Sequence, residues 1–170
     1  MSHIHSFAPV SNADARVLIL GSMPGKKSLK DNQYYALLRN DFWKIMGELV
    51  GASPDRAYEE RLCILKSSGI ALWDVLASCE RGESSLDSDI RKEIANDFES
   101  FFKKHPHITR VFFNGSKAEQ SFRKIVLEQD KQVLPPLKFY RLPSTSPAHA
   151  GMCYEDKLQD WRAVRAVINS

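Results

Sequence analysis

The sequence predicts an α/β fold, a three-layer α/β/α sandwich around a central four-stranded parallel sheet, with residues 1–170 forming one domain. Three observations predict it. Short continuous apolar runs such as Val17-Leu18-Ile19-Leu20 have the pattern of strands buried on both faces. These runs alternate with segments of helical period, which implies parallel pairing with helices on both sides. At 170 residues, 43% apolar and 26% charged, the chain can build a sizeable core and is too apolar for disorder.

The elements follow in order. Val17 to Leu20 is the first strand, bounded by Gly21. Phe42, Ile45, Met46, Leu49 and Val50 recur at helical spacing, with Gly51 as the stop. Tyr58, Leu62 and Leu65 mark a second helix ending near Gly69. Ile70 to Leu76 reads as a strand carrying an unexpected Asp74, and the polar stretch Ser78–Ser88 as an exposed loop. Ile94, Phe98, Phe101 and Phe102 mark one face of a helix that stops before Pro106. Val111-Phe112-Phe113 is a strand, and Ala118, Phe122, Ile125 and Val126 are the buried face of the next helix. Lys138 to Leu142 is the fourth strand. Leu158, Trp161, Val164 and Ile168 close the chain with an amphipathic helix.

Composition excludes several classes. No apolar run is long enough to span a bilayer, and Met1 to Val10 lacks a basic-then-apolar signal, so a cytoplasmic location with no membrane partner is expected. Cys63, Cys79 and Cys153 are odd in number and widely spaced, which suits reduced thiols rather than disulfides or a metal cluster. His3, His5, His105 and His107 show no metal-ligand spacing. A formal charge of +3 is compatible with a local phosphate-binding face but does not demand one.

In parallel sheets, ligands bind beyond the carboxyl ends of the strands. The chemically unusual segments lie at those ends: Gly21–Gly25, Asp74, Asn114 and Ser144–His149. Gly21-Ser22-Met23-Pro24-Gly25-Lys26-Lys27-Ser28 is not a P-loop, because three residues separate its glycines and Lys26 precedes another lysine. Glycines flanking a proline suit either a rigid turn that offers backbone amides to a ligand or an ordinary strand-to-helix turn.

Gly21–Gly25 resembles the first motif of the uracil-DNA glycosylase superfamily. Gln33-Tyr34-Tyr35-Ala36 and Asn40-Asp41-Phe42-Trp43-Lys44 are similar to the mismatch-specific uracil/thymine branch. Val111-Phe112-Phe113-Asn114-Gly115 resembles a segment of the thymine glycosylases, and Leu142-Pro143-Ser144-Thr145-Ser146-Pro147 their Pro-Ser-rich closing loop. The ordered set covers most of the chain. Met23 departs from it, standing where the mismatch-specific enzymes carry a water-positioning Asn; methionine cannot orient water. This departure resembles the hypoxanthine-DNA (deoxyinosine) glycosylase branch. There the resemblance implicates Asn40 in catalysis and Asn114 in supporting the site.

The resemblance implies a monofunctional enzyme that flips a deaminated base from double-stranded DNA and hydrolyses its glycosidic bond, acting as a monomer without metal or cofactor. Hypoxanthine is the first expected base. A mismatch-specific uracil/thymine glycosylase and a catalytically silent nucleotide- or DNA-binding relative are the alternatives. Catalysis is expected from Asn40, Asp74 and His149. The Asn40 amide can orient water or hold the base, or it can cap the Phe42 helix. Asp74 can accept from a base N–H, polarise water, or serve as a loop carboxylate. His149 can stabilise the leaving base, touch phosphate, or be an uninvolved loop residue. Gly21, Ser22, Met23, Pro24, Tyr35 and Asn114 are expected around the base, with Tyr35 as the stacking aromatic or as ordinary packing. Gly25, Ser144, Thr145 and Ser146 are expected to grip DNA phosphates, or to form a polar turn. Ala148-His149 replaces the Arg-containing sequence that thymine glycosylases insert into the duplex, leaving Met152 as a candidate for filling the vacated space.

Overall fold

The computed structural model describes residues 2–170. Four strands form the parallel sheet: β2 (Val17–Gly21), β3 (Ile70–Asp74), β6 (Arg110–Asn114) and β7 (Lys138–Leu142), in the order β3-β2-β6-β7. Leu18, Leu20, Ala71, Trp73, Val111 and Phe113 face one side of this sheet, and Val17, Ile19, Ile70, Leu72 and Phe112 the other. Alternate residues therefore enter two separate cores, which is why the strands read as continuous apolar runs.

The second core is covered by α2 (Phe42–Val50), α3 (Tyr58–Ser67) and α6 (Tyr154–Ile168), with Trp161 and Phe42 fully buried. Gly51 and Gly69 adopt positive φ at the ends of α2 and α3, the stops the sequence predicts. The first core is covered by α4 (Phe98–Lys104) and α5 (Ser116–Ser121), which continues through the wider π-helical turns of Phe122–Gln129. Ala118, Phe122, Ile125 and Val126 are its buried face, as expected. A short α1 (Lys26–Asp31) follows the first glycine-rich turn. Among the described residues no helix is long and apolar enough to cross a membrane.

The region between β3 and α4 differs from the sequence reading. The expected strand Ile70–Leu76 breaks at Val75, and the expected loop from Ser78 begins inside a strand, β4 (Leu76–Arg81). β4 pairs antiparallel with β1 (Ser2–His5) and β5 (Ile90–Ala95), forming a second, three-stranded sheet. Ile94 belongs to β5 and is 58% exposed, not on the buried face of a helix. The helix starts later, where the Asp97 carboxylate accepts from the Ser100 N–H at 3.0 Å. The pattern misled for a physical reason: register shifts between Leu76, Ser78 and Glu80 erase the period of two.

Candidate active site

The carboxyl ends of β2, β3, β6 and β7 open into one cavity of about 830 Å³. All the residues singled out from sequence line it: Gly21–Gly25, Tyr35, Asn40, Asp74, Asn114, Ser144–Ser146 and His149. The parallel register sets Gly21 beside Asp74 and Asn114 beside Leu142, so distant segments meet on one rim.

Gly21 is required by close approach. A Cβ there would lie 2.6 Å from Asp74 Oδ1 and 2.7 Å from Tyr35 Oη, inside any tolerable contact. Asp74 is 4% exposed, and its Oδ2 has no hydrogen-bond partner among the described residues. Burial pushes its carboxyl up to about 7, helped by the charge of Asp87. Near neutrality Asp74 therefore exists in both forms.

Tyr35 is half-buried, with φ +54°. Its ring stacks on Phe42 at 4.1 Å between centroids, so one face is already covered. Burial first, then the nearby Asp74 charge, pushes its phenol well up, keeping it neutral. Tyr35 Oη accepts from Asn114 Nδ2 at 3.1 Å. The other Asn114 hydrogen bonds go to Thr145: Nδ2 donates to Oγ1 at 3.0 Å, and Oδ1 accepts from the Thr145 N–H at 2.9 Å. Asn114 thus braces the aromatic wall against the closing loop.

The Asn40 Oδ1 accepts from the Phe42 N–H at 3.0 Å, a cap-like bond at the start of α2. Its Nδ2 makes no hydrogen bond among the described residues, and the side chain lines the cavity. Capping and a site role are therefore compatible, because the capping bond fixes the amide in place. Next to it, the Asp41 N–H donates to Thr145 O at 3.0 Å, joining this segment to the closing loop. Lys157 of α6 lies 4.0 Å from the Asp41 carboxylate, and Trp161 Nε1 donates to Pro143 O at 2.9 Å, anchoring the same loop.

The closing loop is a run of small turns. Ser144 Oγ accepts from the Ser146 N–H at 3.1 Å, and Ser146 Oγ from the Ala148 N–H at 3.2 Å. Thr145 is 1% exposed and fully engaged by Asn114, so it shapes the loop while Ser144 and Ser146 stay partly open. His149 is exposed at the mouth. Met23 is 9% exposed and joins the first core, forming wall rather than a polar contact. Lys26 and Arg141 supply positive charge along the rim.

Sequence reasoning missed the segment 85–88, which also lines the cavity. Ser22 Oγ donates to Asp87 Oδ1 at 2.6 Å, and Ser85 Oγ accepts from the Lys26 N–H at 2.9 Å. Two serines and an aspartate in a polar run carry no distinguishing signal; the glycine-rich turn they hold was the only available clue. Among the described residues, no group of three His, Cys, Asp or Glu side chains is arranged to hold a metal ion.

Comparison with known proteins gives these features a family. Residues 8–166 match the model of the uracil DNA glycosylase superfamily. A hypoxanthine DNA glycosylase of Methanosarcina acetivorans is 41% identical over 113 residues, 66% of this chain and 71% of that protein. One from Methanosarcina barkeri is 38% identical over the same shares. A solution NMR structure from M. acetivorans, described as a candidate uracil DNA glycosylase, superposes with a TM-score of 0.81 at 32% identity, covering 99% of this chain and 100% of that one. The chain belongs to the uracil DNA glycosylase superfamily and is a DNA glycosylase.

Proposed function

We propose that the enzyme releases hypoxanthine from duplex DNA by hydrolysis, with the flipped nucleotide held in the cavity at the strand ends. The observation that carries this reading is the buried, unpartnered Oδ2 of Asp74 in that cavity. The two Methanosarcina relatives named as hypoxanthine DNA glycosylases support the choice of base.

The C1′–N9 bond breaks with its electron pair passing to the purine, leaving positive charge on the sugar. An ionised Asp74 would oppose the anion forming on the base. The neutral carboxyl instead donates a hydrogen bond to it, so the protonated form is the active one. Water adds its oxygen to C1′, guided by the Asn40 amide, and its proton leaves to the departing base or to solvent. The Gly21–Pro24 turn borders the base, with Met23 and Tyr35 as apolar wall. His149 at the mouth meets the leaving base or an adjoining phosphate. Gly25, Ser144 and Ser146 contact the DNA backbone, while Thr145 and Asn114 hold the loop that presents them.

The test is a single-turnover panel of duplexes holding deoxyinosine, deoxyuridine or thymidine opposite each base, with chelator present. Release of hypoxanthine in preference to uracil and thymine is expected. Activity on uracil alone, or activity abolished by chelator, would refute the proposal.

A further inference from the structure

Apolar side chains collect at the mouth of the cavity. Six large hydrophobic side chains are exposed among the described residues; two of them, Leu37 and Leu86, line this mouth, and a third, Leu38, is the chain neighbour of Leu37. Leu38 falls between two lining residues, Leu37 and Asn40, yet stands outside the cavity and is 93% exposed. Single exposed leucines are common on protein surfaces and need no explanation. This one is different because of how it is held.

The Asn40 N–H donates to Leu37 O at 2.9 Å, closing a four-residue turn with Leu38 and Arg39 at its tip. The base of the turn is fixed on its C-terminal side. Asn40 Oδ1 receives the Phe42 N–H, and Asp41 is bonded to Thr145. On its N-terminal side, the Ala36 N–H donates to Ser28 Oγ at 3.1 Å. A braced turn therefore projects a bare leucine beside the opening, with exposed Arg39 next to it. The closing loop offers no comparable side chain, since it carries Ala148 and His149 and its Met152 is half-buried.

We infer that the Leu37–Asn40 turn is the wedge that enters the duplex, Leu38 filling the space left by the flipped nucleotide and Arg39 meeting a flanking phosphate. An apolar side chain pushed between base steps replaces lost stacking and holds the extruded base out. The turn that wedges the duplex would then also carry Asn40, so insertion and alignment of the catalytic amide would be one event. This inference rests on the reading of the cavity as the site of a flipped base.

Leu38→Ala and Leu38→Met test it. Single-turnover release from a deoxyinosine duplex is expected to fall at least ten-fold with Leu38→Ala and to recover with Leu38→Met. The alanine defect is expected to vanish on a duplex with pyrene opposite the deoxyinosine, because that base-pair-sized aromatic occupies the gap itself. A defect of equal size with pyrene, or no defect on the ordinary duplex, overturns the wedge. A 2-aminopurine neighbour of the deoxyinosine is expected to brighten on binding wild-type protein and much less on binding Leu38→Ala. That signal reports unstacking before any bond breaks. If wild-type protein released no hypoxanthine while brightening still depended on Leu38, the proposed substrate would fail and the wedge would stand; brightening independent of Leu38 overturns the wedge.

Discussion

Ser22 Oγ donates a 2.6 Å hydrogen bond to Asp87 Oδ1, tying the glycine-rich turn after β2 to the segment between β4 and β5. The bond keeps a negative charge near Asp74, which is the second cause, after burial, of that carboxyl's upward shift. Asp87→Asn retains a side-chain acceptor for Ser22 but removes the charge. Asp74 should then lose its proton at lower pH. If neutral Asp74 assists the leaving base, the wild-type rate falls as pH rises through about 7. The Asp87→Asn profile should fall earlier, with its acid side unchanged. A rate that rises through the same range would instead make the ionised Asp74 the active form, orienting water as a base.

The same carboxyl makes a prediction about stability. Its folded value, about 7, lies above the ordinary 3.8, so folding takes up a proton between those values. This group's contribution therefore declines as pH rises from about 4 to about 7 and stays flat above. Asp74→Asn removes that decline, so the stability of the variant relative to wild type should climb across this window and then level off. Urea unfolding at pH 4.5, 6 and 8 measures it. A difference that does not vary with pH would mean Asp74 stays ionised in the folded protein.

Asn114 spends its amide on Tyr35 and Thr145, with three bonds of 2.9 to 3.1 Å. Asn114→Ala leaves the Thr145 N–H and the two hydroxyls to find other partners, at a cost of about 1–3 kcal/mol. The closing loop and the Tyr35 wall should loosen together. Base release is expected to fall further than duplex affinity, since the flipped base would rest directly on the Tyr35 wall, whereas the proposed contacts of Ser144 and Ser146 are only part of the surface that meets the duplex. Thermal melting, together with single-turnover rates and binding on one preparation, separates the two effects; equal losses in rate and affinity would place Asn114 in DNA binding alone.

How much of this was readable in advance depends on the element. Parallel strands announce their ends, so Gly21, Asp74, Asn114 and Ser144 could be assigned to one rim from chain order alone. The β4–β5 ribbon could not. Its bulged register and the left-handed Lys92, at φ +50°, break the alternation that marks a half-buried strand. Segment 85–88 was lost with it. Tyr35 was recognisable as a site aromatic, but not as one already stacked on Phe42, since that contact depends on a positive φ that its sequence does not reveal. Asn40 was legible as two alternatives; its oxygen does accept from the Phe42 N–H at the start of α2, although the N-cap position itself is Asp41, and its Nδ2 has no partner among the described residues.

If Asn40 also orients water, as proposed, its two roles can be separated by choice of substitution. Asn40→Ala removes both the capping acceptor and the amide, so it should lose about 1 kcal/mol of stability. It should also lose about 10²–10³ in single-turnover rate, the usual effect of deleting a positioned hydrogen-bonding group at a reacting centre. Asn40→Ser keeps a good helix-capping oxygen, because serine caps about as well as asparagine, but it is too short to reproduce the amide. The serine variant should therefore melt close to wild type and remain as slow as the alanine variant, with duplex affinity little changed in either. An amide that orients water acts mainly in the transition state, so its loss falls on rate rather than binding. Recovery of activity along with stability in Asn40→Ser would reduce Asn40 to a cap and shift the orientation of water to Asp74 or His149.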